Sequence, residues 1–374
     1  MTVAEPGWRS WTEVSLDQIA ANYRAVKELV GPEVEVLAVV KSNAYGHGMV
    51  EVSRRLIREG ARWLGVSSVE EGVELRRAGV ESRVLVMADT DPGAIAHGLT
   101  PAVYSLEDLR AVDEKARALG KRVAIHLKID SGMGRLGTRA TAGEIREALR
   151  AATNVDLEGV MSHLASPAHF DSRQTEEQLA VFERVCEALR ARYRHTSSSG
   201  AVAYGRREAW KDLVRVGLAL YGYVPVARGA APAKLLEVTP ALEWKARVLA
   251  VKELPAGADV GSGGLFRTPH AMRIAVVAAG YADGIPHRLS NRGSVVAGGR
   301  VVRILGAVSM DVTTIDVTEC PQLKPGDEVT LLGPGFDAQQ MAEVAGTIPY
   351  DVLCKIQGRV RQVHRGQEKG ASSG

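Results

Sequence analysis

The stretch "VLAVVKSNAYGHG" (Val36–Gly48) governs how the rest of the chain is read. Its first five residues are apolar and mostly β-branched, the signature of a strand covered on both faces. Lys41 follows without a spacer, and then come Ser, Asn and Gly residues too polar to continue a core. Strands covered on both faces belong to parallel sheets beneath helices. A cation at the carboxyl end of such a strand stands where these folds carry chemistry.

Outward from Lys41 the alternation of strand and helix continues in both directions. Ser15 followed by Gln18 is a capping box for a helix over Leu16–Val30. Helical patterns at about Val50–Glu59, "VEEGVELRRAG", Leu106–Leu119, Glu144–Ala151 and Gln174–Ala191 alternate with apolar runs. Those runs are "WLGVSS", "VLVMAD", "PAVYS", "VAIHLKID", "LEGVMSHL", a segment near "HTSSSG", and "LVRVGLALYG". Roughly eight βα repeats predict a (β/α)8 TIM barrel over residues 11–238, with a doubly wound sheet as the competing α/β reading.

Beyond Pro240 the texture becomes strand-like with Gly- and Pro-rich turns, predicting a mostly-β C-terminal domain over residues 239–374. Gly298-Gly299 between two Val-rich runs reads as a tight hairpin, and one helix at about Gln339–Val344 interrupts the strands. Residues 1–10, ahead of the first helix, are open to joining this second domain.

The 374 residues are 45% hydrophobic and 24% charged, with a formal net charge of +3. No Lys/Arg block stands out, so neither nucleic acid nor a membrane surface is expected as a partner. The sequence lacks an apolar run of the ~20 residues that span a bilayer, and its start lacks the pattern of a secretory signal. Cys186, Cys320 and Cys354 have no metal-site spacing and read as core or surface thiols, so no metal is expected and the expected compartment is a reducing cytoplasm.

A barrel puts its site at the carboxyl ends of its strands, and the residues there are polar. In "RVAIHLKID", Val123, Ile125, Leu127 and Ile129 face one way, whereas Ala124, His126, Lys128 and Asp130 face the other, into the barrel. "SGMGRLG" follows, a glycine-shaped turn around Arg135. His163, "SSSG", Arg215 and Gly217 end later strands. Any one of these could be a satisfied core or loop residue; recurring at strand ends, they read as one site. A lysine held at a strand end near other cations is a nucleophile toward carbonyls. With an aromatic hydroxyl four residues on and a phosphate-binding loop across the barrel, Lys41 points to covalent attachment of pyridoxal phosphate.

The motifs "AVVKSNAYGHG", "HLKIDSGMGRLG", "SHLA", "VRVGLALYG", "GYADG", "SMD" and "TIPYDV" resemble, in order and spacing, those of the bacterial alanine racemase family, a fold type III pyridoxal-phosphate group. The likeness covers roughly Trp11 to Val360. It implies that Lys41 carries pyridoxal 5′-phosphate and serves as the base on the D-alanine side. It further implies that Tyr45, Ser199, Tyr350, Gly217 and Leu218 hold the phosphate, that Arg215 faces the pyridine nitrogen, and that His163 packs near the ring and bonds Arg215. Arg135 would bind at the substrate carboxylate, and Lys128 would be carbamylated. Met310, Asp311 and Tyr281 would close the substrate pocket of a head-to-tail homodimer. The implied activity is interconversion of L- and D-alanine in the cytoplasm, supplying D-alanine for peptidoglycan.

One departure stands out. The family's second base, a tyrosine after the "ELPAG" turn, is replaced in "ELPAGADVGSGGLF" by Ser262. Ser198 likewise stands where asparagine is usual. Racemisation needs a proton donor and acceptor on both faces of the reacting carbon, and serine is a far weaker acid than a phenol. The expectation is an alanine racemase impaired on the L face. The alternatives are retro-aldol cleavage of β-hydroxy amino acids with His163 as base, racemisation of other amino acids, or a cofactor carrier, which the long β domain disfavours.

Overall fold

The computed structural model describes residues 7–356 and 358–366. The chain divides into two compact units. Residues 19–44 and 49–239 form one, and the described residues among 7–18, 45–48 and 240–366 form the other. Residues 1–6 and the end of the 239–374 span lie outside the described residues.

The first unit is the barrel. Eight parallel strands, β2 (Glu35–Val39), β3 (Trp63–Val66), β4 (Arg83–Val86), β5 (Thr100–Val103), β6 (Val123–Lys128), β7 (Val155–Met161), β8 (Tyr193–His195) and β9 (Leu213–Val216), pair in chain order, and β9 returns to β2. Backbone bonds from Asp212 to Arg194 and from Arg215 to Ser197 link the last two strands, so the ring is nearly closed. A doubly wound sheet is thereby excluded.

The covering helices are α1 (Leu16–Val30), α3 (Met49–Arg58), α4 (Val69–Arg77), α5 (Leu106–Ala118), α6 (Ala142–Ala151), α7 (Gln174–Cys186) and the short α8 (Ser199–Ala203), with α2 (Lys41–Gly46) as a special case. Ser68, Ser105 and Thr141 cap α4, α5 and α6, each accepting an N–H from the first turn. As the alternation in β6 requires, Ile125, Leu127 and Ile129 pack outward with Leu109, Val112, Ile145 and Phe182. His126 and Lys128 are buried on the opposite side.

The second unit begins with β1 (Ser10–Ser15), where the sequence reading started the barrel at Trp11. This strand pairs antiparallel with β10 (Leu242–Leu254) and parallel with β18 (Arg361–Arg365). Trp11 and Trp244 are fully buried in it. The remaining strands are β11 (Asp259–Val260), β12 (Phe266–Arg267), β13 (Met272–Val277), β14 (Ser294–Ala297), β15 (Arg300–Arg303), β16 (Thr313–Asp316) and β17 (Glu328–Leu332). The expected hairpin is present: Ala297 pairs with Arg300, leaving Gly298 and Gly299 at φ 55° and 78° as the two-residue turn. Among the described residues two α-helices, not one, interrupt the strands. Besides α9 (Ala338–Ala345) there is α10 (Pro349–Lys355), whose Pro349 occupies the first turn, where its missing N–H costs nothing.

Candidate active site

Lys41 leaves β2 into a turn that local sequence preference opposes. Ser42, Asn43, Ala44 and Tyr45 all have φ between 52° and 53°, so α2 is a single left-handed helical turn. Left-handed helix costs L-residues about 1–2 kcal/mol each, or about 4–8 kcal/mol over these four. Surrounding bonds offset the strain: Ala44 N–H donates to the Val40 carbonyl, Ser42 N–H to Glu71, and Met49 N–H to the Asn43 side chain. The segment was expected to lie outside the core, yet Ala44 to Met49 are buried. Strain held at a lysine is the kind of backbone distortion that collects at functional sites.

Cations from the barrel strands and from the loop after β6 act on one another near Lys41: buried Lys128 and Arg215, and exposed Arg135. Lys128 is buried on β6, with its Nζ 5.5 Å from the Tyr104 ring centre. Burial, then the charges of Arg215, Arg135 and Lys41, draw its pKa down to about 8. Arg135 is carried by a turn that Asp130 builds. One Asp130 oxygen accepts N–H groups from Gly132, Met133 and Gly134, and the other accepts from Arg139. Gly137 closes this turn at φ 127°, where a Cβ would lie 2.5 Å from the Asp130 nitrogen.

Arg215 on β9 is buried and bound by strand-end carbonyls. One terminal nitrogen donates to His195 Nδ1 and to the His195 carbonyl, both at 2.9 Å. The other donates to the carbonyls of Ser162 (2.7 Å) and Thr196 (3.2 Å) and contacts His163 Nδ1 at 3.3 Å. Desolvation lowers Arg215 to about 10, so it stays charged at neutral pH. His163 is pulled down to about 3 by burial and by Arg215, Arg135, Lys128 and Lys41, so it is a neutral acceptor. Sequence reading singled out Arg215 and His163 but missed His195, which opens the quoted "HTSSSG" stretch and fixes the guanidinium.

Ser199 Oγ accepts the N–H groups of Gly217 (3.3 Å) and Ala219 (3.2 Å), which joins the "SSSG" and "VGLAL" loops into one buried cradle including Leu218. The Ser197 hydroxyl is buried with no hydrogen-bond partner.

In the β unit, residues 45–48 are bound to β18. Gln362 donates to the Gly46 carbonyl, and His364 contacts the His47 carbonyl at 2.8 Å. The rings of Tyr45 and Tyr350 lie 5.7 Å apart, and burial pushes Tyr350 up to about 12. A second group in this unit joins the "GYADG" and "SMD" motifs. Asp283 is buried, accepts the Gly280 N–H and binds Arg359 through both oxygens at 2.7 and 3.0 Å. Arg359 in turn pairs with Asp311 at 2.7 Å. Tyr281 and Met310 are therefore displayed, 45% and 53% exposed, on braced loops. Ser262 is exposed on a different loop, between β11 and β12, flanked by Gly261 and Gly263 at positive φ.

The alanine racemase N-terminal domain model matches residues 14–225, and the C-terminal domain model matches residues 241–364. The alanine racemase of Symbiobacterium thermophilum is 38% identical over 372 residues, 96% of this chain and 97% of that protein. The crystal structure of alanine racemase from the D-cycloserine producer Streptomyces lavendulae superposes with a TM-score of 0.91 at 35% identity, covering 97% of this chain and 99% of that one. The Bartonella henselae alanine racemase structure, with covalently bound pyridoxal phosphate, has a TM-score of 0.86 at 27% identity, covering 95% and 99%. With strand-end cations, two-unit architecture and near-full-length likeness in agreement, the chain belongs to the alanine racemase family.

Proposed function

We propose that this protein interconverts L- and D-alanine with pyridoxal 5′-phosphate held at the barrel mouth. The observation that carries the reading is the set of four cations, Lys41, Lys128, Arg135 and Arg215, in one barrel with a single strained turn presenting Lys41. That donor set suits an aldehyde with an acceptor ring nitrogen and a substrate carboxylate, and the Ser199–Gly217–Leu218 cradle suits its phosphate. The cofactor, when bound, withdraws electrons from the amino acid and acidifies its Cα–H.

In this reading Lys41 anchors the cofactor, and its Nζ exchanges the Cα proton on the D-alanine face. The Ser199–Gly217–Leu218 cradle, with Tyr45 and Tyr350, holds the phosphate. Arg215 keeps a permanent positive charge against the ring nitrogen, which disfavours a proton there and restrains side reactions. Arg135 binds the substrate carboxylate. Lys128, lowered to about 8, has an appreciable neutral fraction at neutral pH and is a good amine for carbamylation. A carbamate there would supply the anion that Arg135 lacks.

Tyr281, Met310 and Asp311, displayed on braced loops, complete the pocket of a second subunit in a head-to-tail homodimer. The enzyme works in the cytoplasm and supplies D-alanine for peptidoglycan. Among the described residues no helix is long and apolar enough to cross a membrane.

Ser262 replaces the phenol on the L face, so that proton arrives through water held at Ser262 or from Tyr281, and turnover is slow. Retro-aldol cleavage through His163 is disfavoured, because an imidazole pulled down to about 3 is a feeble base. The test is chiral analysis of alanine, serine and threonine incubated with protein and cofactor, beside Ser262→Tyr. The expected result is slow alanine interconversion that Ser262→Tyr accelerates. An unchanged rate in the variant refutes the role of position 262, and no interconversion at full cofactor occupancy refutes the activity.

A further inference from the structure

Below Arg215 the barrel interior holds a second polar chain with no place in the roles assigned so far. His195, whose Nδ1 takes the Arg215 bond, is fully buried and contacts His126 Nδ1 through its own Nε2 at 2.8 Å. His126 is also fully buried, and its Nε2 has no partner closer than Glu158, whose Oε2 lies 3.6 Å away. Glu158 binds Arg83, and Arg83 stacks 3.9 Å above the Trp63 ring.

The backbone is adapted to this arrangement. β6 and β7 run in register up to Ile125 and Leu157, and then His126 pairs with Gly159, leaving Glu158 as an extra residue. Val155, Leu157 and Val160 all pack outward, a spacing of two followed by three, so the irregularity re-aims Glu158. Gly159 has no side chain where a Cβ would lie 2.6 Å from His126 Nδ1. An extra residue and an absent side chain together make room for one imidazole and one carboxylate.

Hydrogen counting along the chain gives one solution. Arg215 can only donate, so His195 Nδ1 is bare and its proton is on Nε2. That proton makes His126 Nδ1 an acceptor, which puts the His126 proton on Nε2, facing Glu158. Burial keeps both imidazoles neutral.

We propose that Glu158 is a positioning residue: facing His126 Nε2, it supports from the far end of the chain the same tautomers that Arg215 requires, which keeps an acceptor under Arg215 and holds the guanidinium in place. The tautomer chain stands on its own geometry, and its effect on the cofactor rests on the proposed role of Arg215.

The test uses the holoenzyme labelled with 15N-histidine, whose ring nitrogen shifts report which nitrogen carries the proton. In the parent protein both His126 and His195 carry it on Nε2. Glu158→Gln retains an acceptor and preserves both tautomers. Glu158→Leu removes it, so His126 populates both tautomers, the His195 Nδ1 shift moves and the visible band of the bound cofactor shifts. Turnover falls at unchanged KM, by about 10- to 100-fold if the chain matters as much as the carboxylate partners of metal-bound histidines do. A proton on Nδ1 of either ring in the parent protein overturns the proposal without any variant. So does a folded Glu158→Leu protein with the His195 tautomer and the cofactor band unchanged. If no cofactor binds, the functional reading fails while the tautomers still decide this one.

Discussion

Replacing Lys128 with methionine removes a buried cation from among three others, and the structure sets the size of the effect. Lys128 falls from an ordinary 10.5 to about 8, chiefly by burial. At about 1.4 kcal/mol per tenfold change in proton affinity, the folded state disfavours the charged amine by about 3 kcal/mol. The folded protein binds this proton more weakly than the unfolded chain. The destabilisation is therefore complete below pH 8 and is relieved as pH rises from about 8 to 10.5. Methionine keeps the length of the stem but loses the contact with the Tyr104 ring, worth about 2 kcal/mol for a desolvated cation.

Lys128→Met should thus stabilise the protein at pH 7 by about 1 kcal/mol in carbonate-free buffer, read by urea denaturation. Adding bicarbonate should stabilise the parent protein, because a carbamate turns the repelled cation into a partner for Arg135, and should leave the variant unaffected. A variant no more stable than the parent without bicarbonate would refute the electrostatic reasoning. A parent protein indifferent to bicarbonate would refute the carbamate.

Gly159→Ala drives a Cβ to within 2.6 Å of the His126 ring and should cost about 1–3 kcal/mol in urea denaturation, an overpacking penalty; unchanged stability would mean the ring has room to move. Asp283→Asn keeps the shape of the side chain but removes the charge that holds Arg359. Faster amide exchange over residues 309–312 is expected, and unchanged exchange would show that Arg359 does not brace that loop.

The barrel was legible because its signals are local. Apolar runs of strand length, helices between them and polar residues at strand ends can all be read without knowing what pairs with what. The polar row of β6 could be placed inside from period-two alternation alone. The same rule fails at Glu158, where an extra residue breaks the period, so neither Glu158 nor the role of Gly159 could be read from the sequence. In the β unit the strands were visible but their order was not, since β1 pairs with β10 and β18 across more than two hundred residues. Helix α10 escaped because its seven residues are too few for a periodic pattern. The left-handed turn was invisible for a stronger reason: only Asn43 in "SNAY" tolerates positive φ readily, one such residue does not announce a left-handed turn, and the bonds around it enforce it.

That turn limits how the protein can vary. At Ser42 to Tyr45 a substitution must suit the site's chemistry and also tolerate φ near 52°. Valine, isoleucine and threonine are penalised there whatever their polarity, whereas glycine and asparagine are conformationally cheap. A randomised library over these four positions, selected only for stable folding, would therefore return a biased set with no catalytic selection applied. Restriction on substitution next to Lys41 thus has two sources, chain handedness and catalysis, and the two separate only when folding and turnover are scored independently.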